Sequence, residues 1–131
     1  LRVAVTLLDQ RFDKMIEPFG ITSAQYNVLR ILKGVHPEGH ARCEIASRMI
    51  ERASDITRII DRLEKQDLVV RDRTIEDRRI SITRITEKGI ELVNKLKPLI
   101  ENEHTENTKG LSDDECRKLS ILLEKLYADK I

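Results

Sequence analysis

A mainly α-helical fold carrying one small β-hairpin is predicted for this 131-residue chain, on three observations. Apolar residues recur at helical spacing along most of the sequence. A single segment breaks that rhythm: in residues 69–86, two β-branched runs flank the charged tip Glu76-Asp77-Arg78-Arg79. Val, Ile and Thr favour strands, so this segment reads as a β-hairpin with charge at its turn. The third observation is what precedes it, a helical segment from Asp55 to Gln66 with Ile56, Ile59, Ile60 and Leu63 on one face. A helix with an exposed polar side, followed by an arginine-tipped hairpin, suits a DNA duplex: the helix enters the major groove and the hairpin reaches a neighbouring minor groove. The fold class expected is therefore mainly α with a small β-hairpin wing, a winged helix-turn-helix with N- and C-terminal dimerisation helices.

The elements follow in order. Leu1, Val5, Leu8, Phe12, Met15 and Phe19 alternate steps of four and three, the seam of a helix that packs along another helix. Pro18 and Gly20 end it. Thr22 and Gln25 form a capping-box pattern that opens a second helix through Val28, Leu29 and Leu32 to about Lys33. Pro37 and Gly39 make Gly34 to His40 a loop. A short helix is expected around Cys43 to Met49, with Ile45, Ala46 and Met49 inward and no good cap at its start. Ser54 is the expected N-cap of the next helix, completing a helix-turn-helix in which Ile50 takes the place usual for Gly. The hairpin is expected to end at Thr86, which caps a long helix from Glu87 to about Lys109. Pro98 lies inside that helix, where a proline costs about 3 kcal/mol and kinks the axis. Gly110 stops it. Ser112 and Glu115 make a second capping box for a last helix with Leu119, Leu122, Leu123 and Leu126 on one face.

Charge distribution points to the same partner. The net charge is +1, but residues 42–84 hold 11 Lys and Arg against 9 Asp and Glu, and ten of those eleven are Arg. The planar, five-donor guanidinium suits phosphate and guanine edges better than an ammonium does. Four aromatic residues (Phe12, Phe19, Tyr26, Tyr127) are too few for a single-strand stacking platform. Cys43 and Cys116 form no CxxC pair and are expected to be reduced and structural. The longest charge-free stretch, Pro18 to Leu29, is too short and polar to span a membrane, and no signal-peptide pattern is present. Leu1 in place of Met leaves the native N-terminus open. A cytoplasmic protein is expected. With no glycine-rich phosphate loop, nucleophile elbow or HExxH, the sequence reads as a non-enzyme without a cofactor.

The terminal helices carry more apolar surface than a small winged unit can cover. Each such Leu or Ile is worth about 1.5–3 kcal/mol when buried, so a two-fold homodimer with interlocked terminal helices is expected. The chain then forms one domain, 1–131, with a DNA-binding lobe at 22–86 and a helical dimerisation lobe at 1–20 and 87–131.

These residues resemble the MarR family of bacterial transcription regulators over nearly the whole chain. The resemblance rests on Ile45-Ala46, on Leu63-Glu64-Lys65-Gln66-Asp67-Leu68-Val69-Val70-Arg71, on the wing Asp77-Arg78-Arg79, and on Ile85-Thr86-Glu87-Lys88-Gly89. Asp67 stands where the family has Gly, and Asp tolerates a left-handed backbone better than most residues. The resemblance implies that Arg79 enters the minor groove with Asp77 holding its guanidinium, and that Arg78 contacts phosphate. Ser54, Asp55, Thr57 and Arg58 lie at the exposed start of the recognition helix. Arg58 is the first choice for a bidentate guanine contact, with Thr57 and Ser54 toward phosphate or base edges. Asp55 could accept from cytosine N4, cap the helix or orient Arg58. Arg52, Arg62 and Arg73 are further phosphate candidates. A ligand-responsive repressor on a pseudo-palindromic operator is implied, its small-molecule effector seated between the first two helices and the start of the long one. A winged-helix module that binds another protein is the alternative. His36, His40 and Cys43 have a spacing open to metal binding or oxidation, yet the paired histidines of zinc-binding relatives are absent.

Overall fold

A computed structural model of the chain describes residues 1–50, 55–73 and 80–130, with Arg73 described by its backbone alone. The elements are α1 (Arg2–Ile16), a 3-10 turn (Glu17–Phe19), α2 (Ser23–Lys33), β1 (His40–Ala41), α3 (Arg42–Arg48), α4 (Ile56–Lys65), β2 (Val69–Arg73), β3 (Ser81–Ile85), α5 (Glu87–Thr108) and α6 (Asp113–Tyr127). They group into two compact units, Leu1–Pro98 and Leu99–Ile131.

Local chemistry sets most boundaries. α1 ends as Pro18 enters the 3-10 turn and Gly20 takes a left-handed φ of 75°. Both expected capping boxes form: Thr22 accepts from the Gln25 N–H while the Gln25 side chain accepts from the Thr22 N–H, and Ser112 with Glu115 repeats the exchange. Each such cap contributes about 1 kcal/mol by satisfying amides the helix cannot. The hydrogen bonds to Ser112 hold the Glu115 carboxyl below its ordinary value, the backbone one most. Thr86 caps α5 through its hydroxyl, which accepts from Gly89 N–H at 3.1 Å. α5 then continues through Pro98.

Two expectations are corrected. The N-cap of α4 is Asp55, whose carboxylate accepts from the Arg58 N–H at 3.2 Å, so the helix starts at Ile56 and the cap is not Ser54. The sheet has three strands rather than two, in the antiparallel order β1-β3-β2. β1 starts at His40, the last residue of the expected loop Gly34 to His40. It pairs His40 with Thr83 and Ala41 with Ile82, and Gly39 lets the chain approach, since a Cβ there would lie 2.1 Å from the Thr83 carbonyl oxygen. The hairpin itself runs in register from Val69↔Ile85 to Arg73↔Ser81.

The core lies in the first unit. Ile16, Val28, Leu29, Leu32, Ile45, Ile60, Leu63, Val69 and Leu96 are fully enclosed, drawing on α1, α2, α3, α4, β2 and α5. The α4-to-β2 turn is built tightly against α5. Asp67 adopts φ 60°, the left-handed geometry its place in the family motif requires. Gly89 then passes so close that a Cβ would lie 2.4 Å from the Leu68 carbonyl oxygen. In contrast, α6 buries none of its residues. Cys43 and Cys116 are free thiols; Cys43 is exposed, so it is no core residue.

Candidate nucleic-acid interface

α4 separates its two faces cleanly. Ile60 and Leu63 are buried and Ile56 and Ile59 half-buried, while Asp55, Arg58, Arg62 and Lys65 stand exposed along the opposite side. At 3.6 residues per turn those four positions form one outward stripe. Arg58, Arg62 and Lys65 have no ion-pair partner among the described residues, which leaves a cationic edge open to an incoming anion. Asp55 sits at the head of this stripe and its carboxylate is engaged with the helix N-terminus, the capping option among the three the sequence left open.

Thr57 faces sideways rather than outward. Its hydroxyl oxygen accepts from Arg42 Nη1 at 2.9 Å, tying the first residue of α3 to the first turn of α4. The hydroxyl hydrogen remains available to donate. Arg42 was not foreseen: its position just before a short uncapped helix carries no motif, and only the folded chain brings it beside Thr57. The turn leaving α3 is fixed by Asn27 of α2, whose side-chain oxygen accepts from the Ile50 N–H at 3.1 Å. This bond supplies an anchor where the sequence lacks the usual glycine.

The wing is joined to α4 by Arg71 of β2. Its guanidinium donates to Asp61 through Nη2 and to Glu64 through Nη2 and Nε, the latter two at 3.2 and 3.3 Å. The hydrogen bond to Asp61 raises the Arg71 pKa above its ordinary value, partial burial opposes it, and Glu64 adds to the rise. A cross-strand pair, Arg84 to Asp72 at 3.0 Å, ties β3 to β2. Ser54, Arg52, Asp77, Arg78 and Arg79 lie outside the described residues, as does the Arg73 side chain; the backbone places Arg73 opposite Ser81 at the end of β2.

Behind the reading face, α1, α2 and α5 come together around aromatic rings. Phe12 and Tyr26 pack at 5.6 Å between centroids, Lys95 Nζ lies 5.6 Å from the Phe19 ring centre, and Lys33 donates to Asn94 at 2.5 Å. Burial pushes the Tyr26 hydroxyl up, with Arg30 opposing, so the ring stays neutral near pH 7. Among the described residues no group of three or more His, Cys, Asp or Glu is placed to hold a metal ion. None of their helices is long and apolar enough to cross a membrane.

A reading helix set on a three-stranded wing defines a winged helix-turn-helix protein. The MarR family profile matches residues 21–81, from the residue before the α2 cap to the start of β3. MhqR, an HTH-type transcriptional regulator of Bacillus subtilis, is 28% identical over 119 residues, covering 91% of this chain and 81% of that protein. The crystal structure of a MarR transcription factor from Planctomyces limnophilus aligns with a TM-score of 0.77 at 35% identity, over 95% of this chain and 90% of that one. A mutant MarR from E. coli complexed with operator DNA aligns with a TM-score of 0.83 at 25% identity, over 95% and 89%. The chain belongs to the MarR family of transcriptional regulators.

Proposed function

We propose that this protein is a sequence-specific double-stranded DNA-binding regulator that acts as a homodimeric repressor on a pseudo-palindromic operator. The observation that carries this reading is the cationic stripe of α4, Arg58, Arg62 and Lys65, which has no ion-pair partner among the described residues and is set opposite that helix's buried face. In this reading Arg58 reads a guanine edge and Arg62 binds phosphate. Arg42, steered by Thr57, and Thr57 itself add backbone contacts that position the helix. Ser54, Asp55, Arg73, Asp77, Arg78 and Arg79 keep the roles the family motif implies, with Arg79 in the minor groove. The likeness to a MarR bound to operator DNA supports the DNA reading over a protein-binding module.

Dimerisation follows from uncovered apolar surface. In α1, Val5 and Leu8 are exposed along the heptad seam, and in α6 Leu119, Leu122 and Leu126 are exposed along one face. Such stripes are unfavourable in water and are covered most economically by a second copy. The lobe division stays as read from the sequence, with 22–86 contacting DNA and 1–20 with 87–131 pairing. Two recognition helices about one helical turn apart, roughly 34 Å, then meet successive major grooves. A small-molecule effector seated among Phe12, Phe19 and Tyr26 would release DNA by favouring a different separation. Its place of work is the cytoplasm, where the operator is.

The test is selection of bound duplexes from a random DNA pool, followed by titration of the selected duplex at increasing salt. The expected result is one enriched pseudo-palindrome and a steep fall in affinity with salt as phosphate contacts are lost. No enrichment, with binding insensitive to salt, would end the DNA reading.

A further inference from the structure

The recognition helix carries its own competitor for the DNA. Asp61 lies three residues after Arg58 and four before Lys65 on α4, spacings at which helical side chains meet and opposite charges pair. Left alone, its carboxylate would fold onto Arg58 or Lys65 and withdraw them from a phosphate or a guanine edge. The structure shows it engaged elsewhere: Asp61 and Glu64 are both bound by Arg71, reaching across from β2. Glu64 offers Arg71 two of its contacts and so fixes the plane of the guanidinium. Arg71 is more enclosed than either acid, with 27% of its side chain exposed against 46% for Asp61 and 43% for Glu64. A fork held on one side by two oxygens is pre-organised for a third, in a way lysine cannot copy.

We infer that Arg71 is a positioning residue for DNA recognition: by sequestering Asp61 it keeps Arg58 and Lys65 of the reading helix unpaired and available. It touches no DNA itself. The inference rests on the DNA reading above, and it assigns a role within it that the wing-tip and recognition-helix contacts do not.

The consequence is a dependence that runs through one carboxylate. In Arg71→Ala, Asp61 turns to Arg58, so affinity for the selected duplex falls about tenfold. The preference for that duplex over a scrambled one falls with it, because the residue withdrawn is the one that reads a base. Removing the competitor restores function: Arg71→Ala/Asp61→Asn returns to within about threefold of the parent in both affinity and preference. Asp61→Asn alone changes neither, since that carboxylate is already occupied.

The experiment titrates the four proteins, parent, Arg71→Ala, Asp61→Asn and the double variant, against the selected and scrambled duplexes at fixed salt. Circular dichroism reports whether each is folded. Restoration by Asp61→Asn is the expected result. An Arg71→Ala that binds as the parent does would overturn the inference, and so would a double variant as weak as Arg71→Ala, which would make Arg71 a direct contact or a strap of the fold only. Should Arg71→Ala not fold, Arg71→Gln retains a donor and most of the stem, and the same restoration is required of it. A parent that binds neither duplex would defeat the DNA reading, an outcome distinct from a parent that binds and an Arg71 variant that does not differ.

Discussion

The winged lobe and the terminal helices are made from similar residues and end in opposite states. In the lobe, α2, α3, α4 and the sheet enclose Val28, Leu29, Leu32, Ile45, Ile60 and Leu63 almost completely. In the terminal helices, leucines of the same size stand in the open: Leu8 of α1 and Leu122 of α6 are 43% and 62% exposed, and α6 buries nothing. The contrast shows that apolar spacing on a helix specifies a face, while the partner that covers it is a separate matter. The lobe finds its partners within one chain. The exposed stripes of α1 and α6 find none there.

That contrast can be broken at the core first. Leu29→Ala removes a fully enclosed side chain and should cost about 2–5 kcal/mol. Chemical denaturation would report it as a loss independent of protein concentration. Leu122→Ala should behave oppositely, with stability lost only as dilution separates the copies. Equal, concentration-independent losses would erase the distinction between the two regions.

Smaller effects sharpen the picture of the lobe. Gly89→Ala places a methyl group against the Leu68 carbonyl, which is backbone and cannot turn aside, so α5 must shift on β2; a cost of about 1–3 kcal/mol is expected in the same denaturation experiment. On the reading face, Arg58→Ala should leave the fold unchanged and relax preference at one base pair by about 1–3 kcal/mol, measured against duplexes altered one position at a time. The smallest effect belongs to Asp67. Its left-handed φ of 60° strains any side chain, so Asp67→Gly should stabilise by about 0.5–1 kcal/mol, raising the melting temperature by a few degrees.

What could be read from the sequence divides along physical lines. Interactions spanning three or four residues were legible: both capping boxes, Thr86 at the start of α5, and the end of the first helix at Pro18 and Gly20. Their geometry is dictated by neighbours in the chain. Interactions that depend on folding were not. β1 is two residues long and owes its strand geometry to Thr83, 43 positions away from His40. The Arg71 clamp joins a strand to a helix through tertiary approach, and nothing near Arg71 announces its partners. The Asp55 cap lay within reach of local reasoning, since Ser54 and Asp55 are both good caps and the non-helical backbone of Asp55, at φ −137° and ψ 59°, is what makes it the cap.

For the site, the α4 stripe was legible because amphipathicity places Arg58 and Arg62 outward whenever Ile60 and Leu63 go in. Arg42 was not, because its value lies in the bond to Thr57. The same division explains why dimerisation was expected on sequence grounds alone: a stripe of leucines at the surface is a local pattern, and its exposure in a folded chain is what the terminal helices display.

Sedimentation of the protein with its selected duplex tests both halves of the contrast in one measurement. Two chains per duplex, held together at concentrations where Leu122→Ala dissociates, is the stoichiometry this account predicts. One chain per duplex, or a stable monomer that never joins DNA, would contradict it.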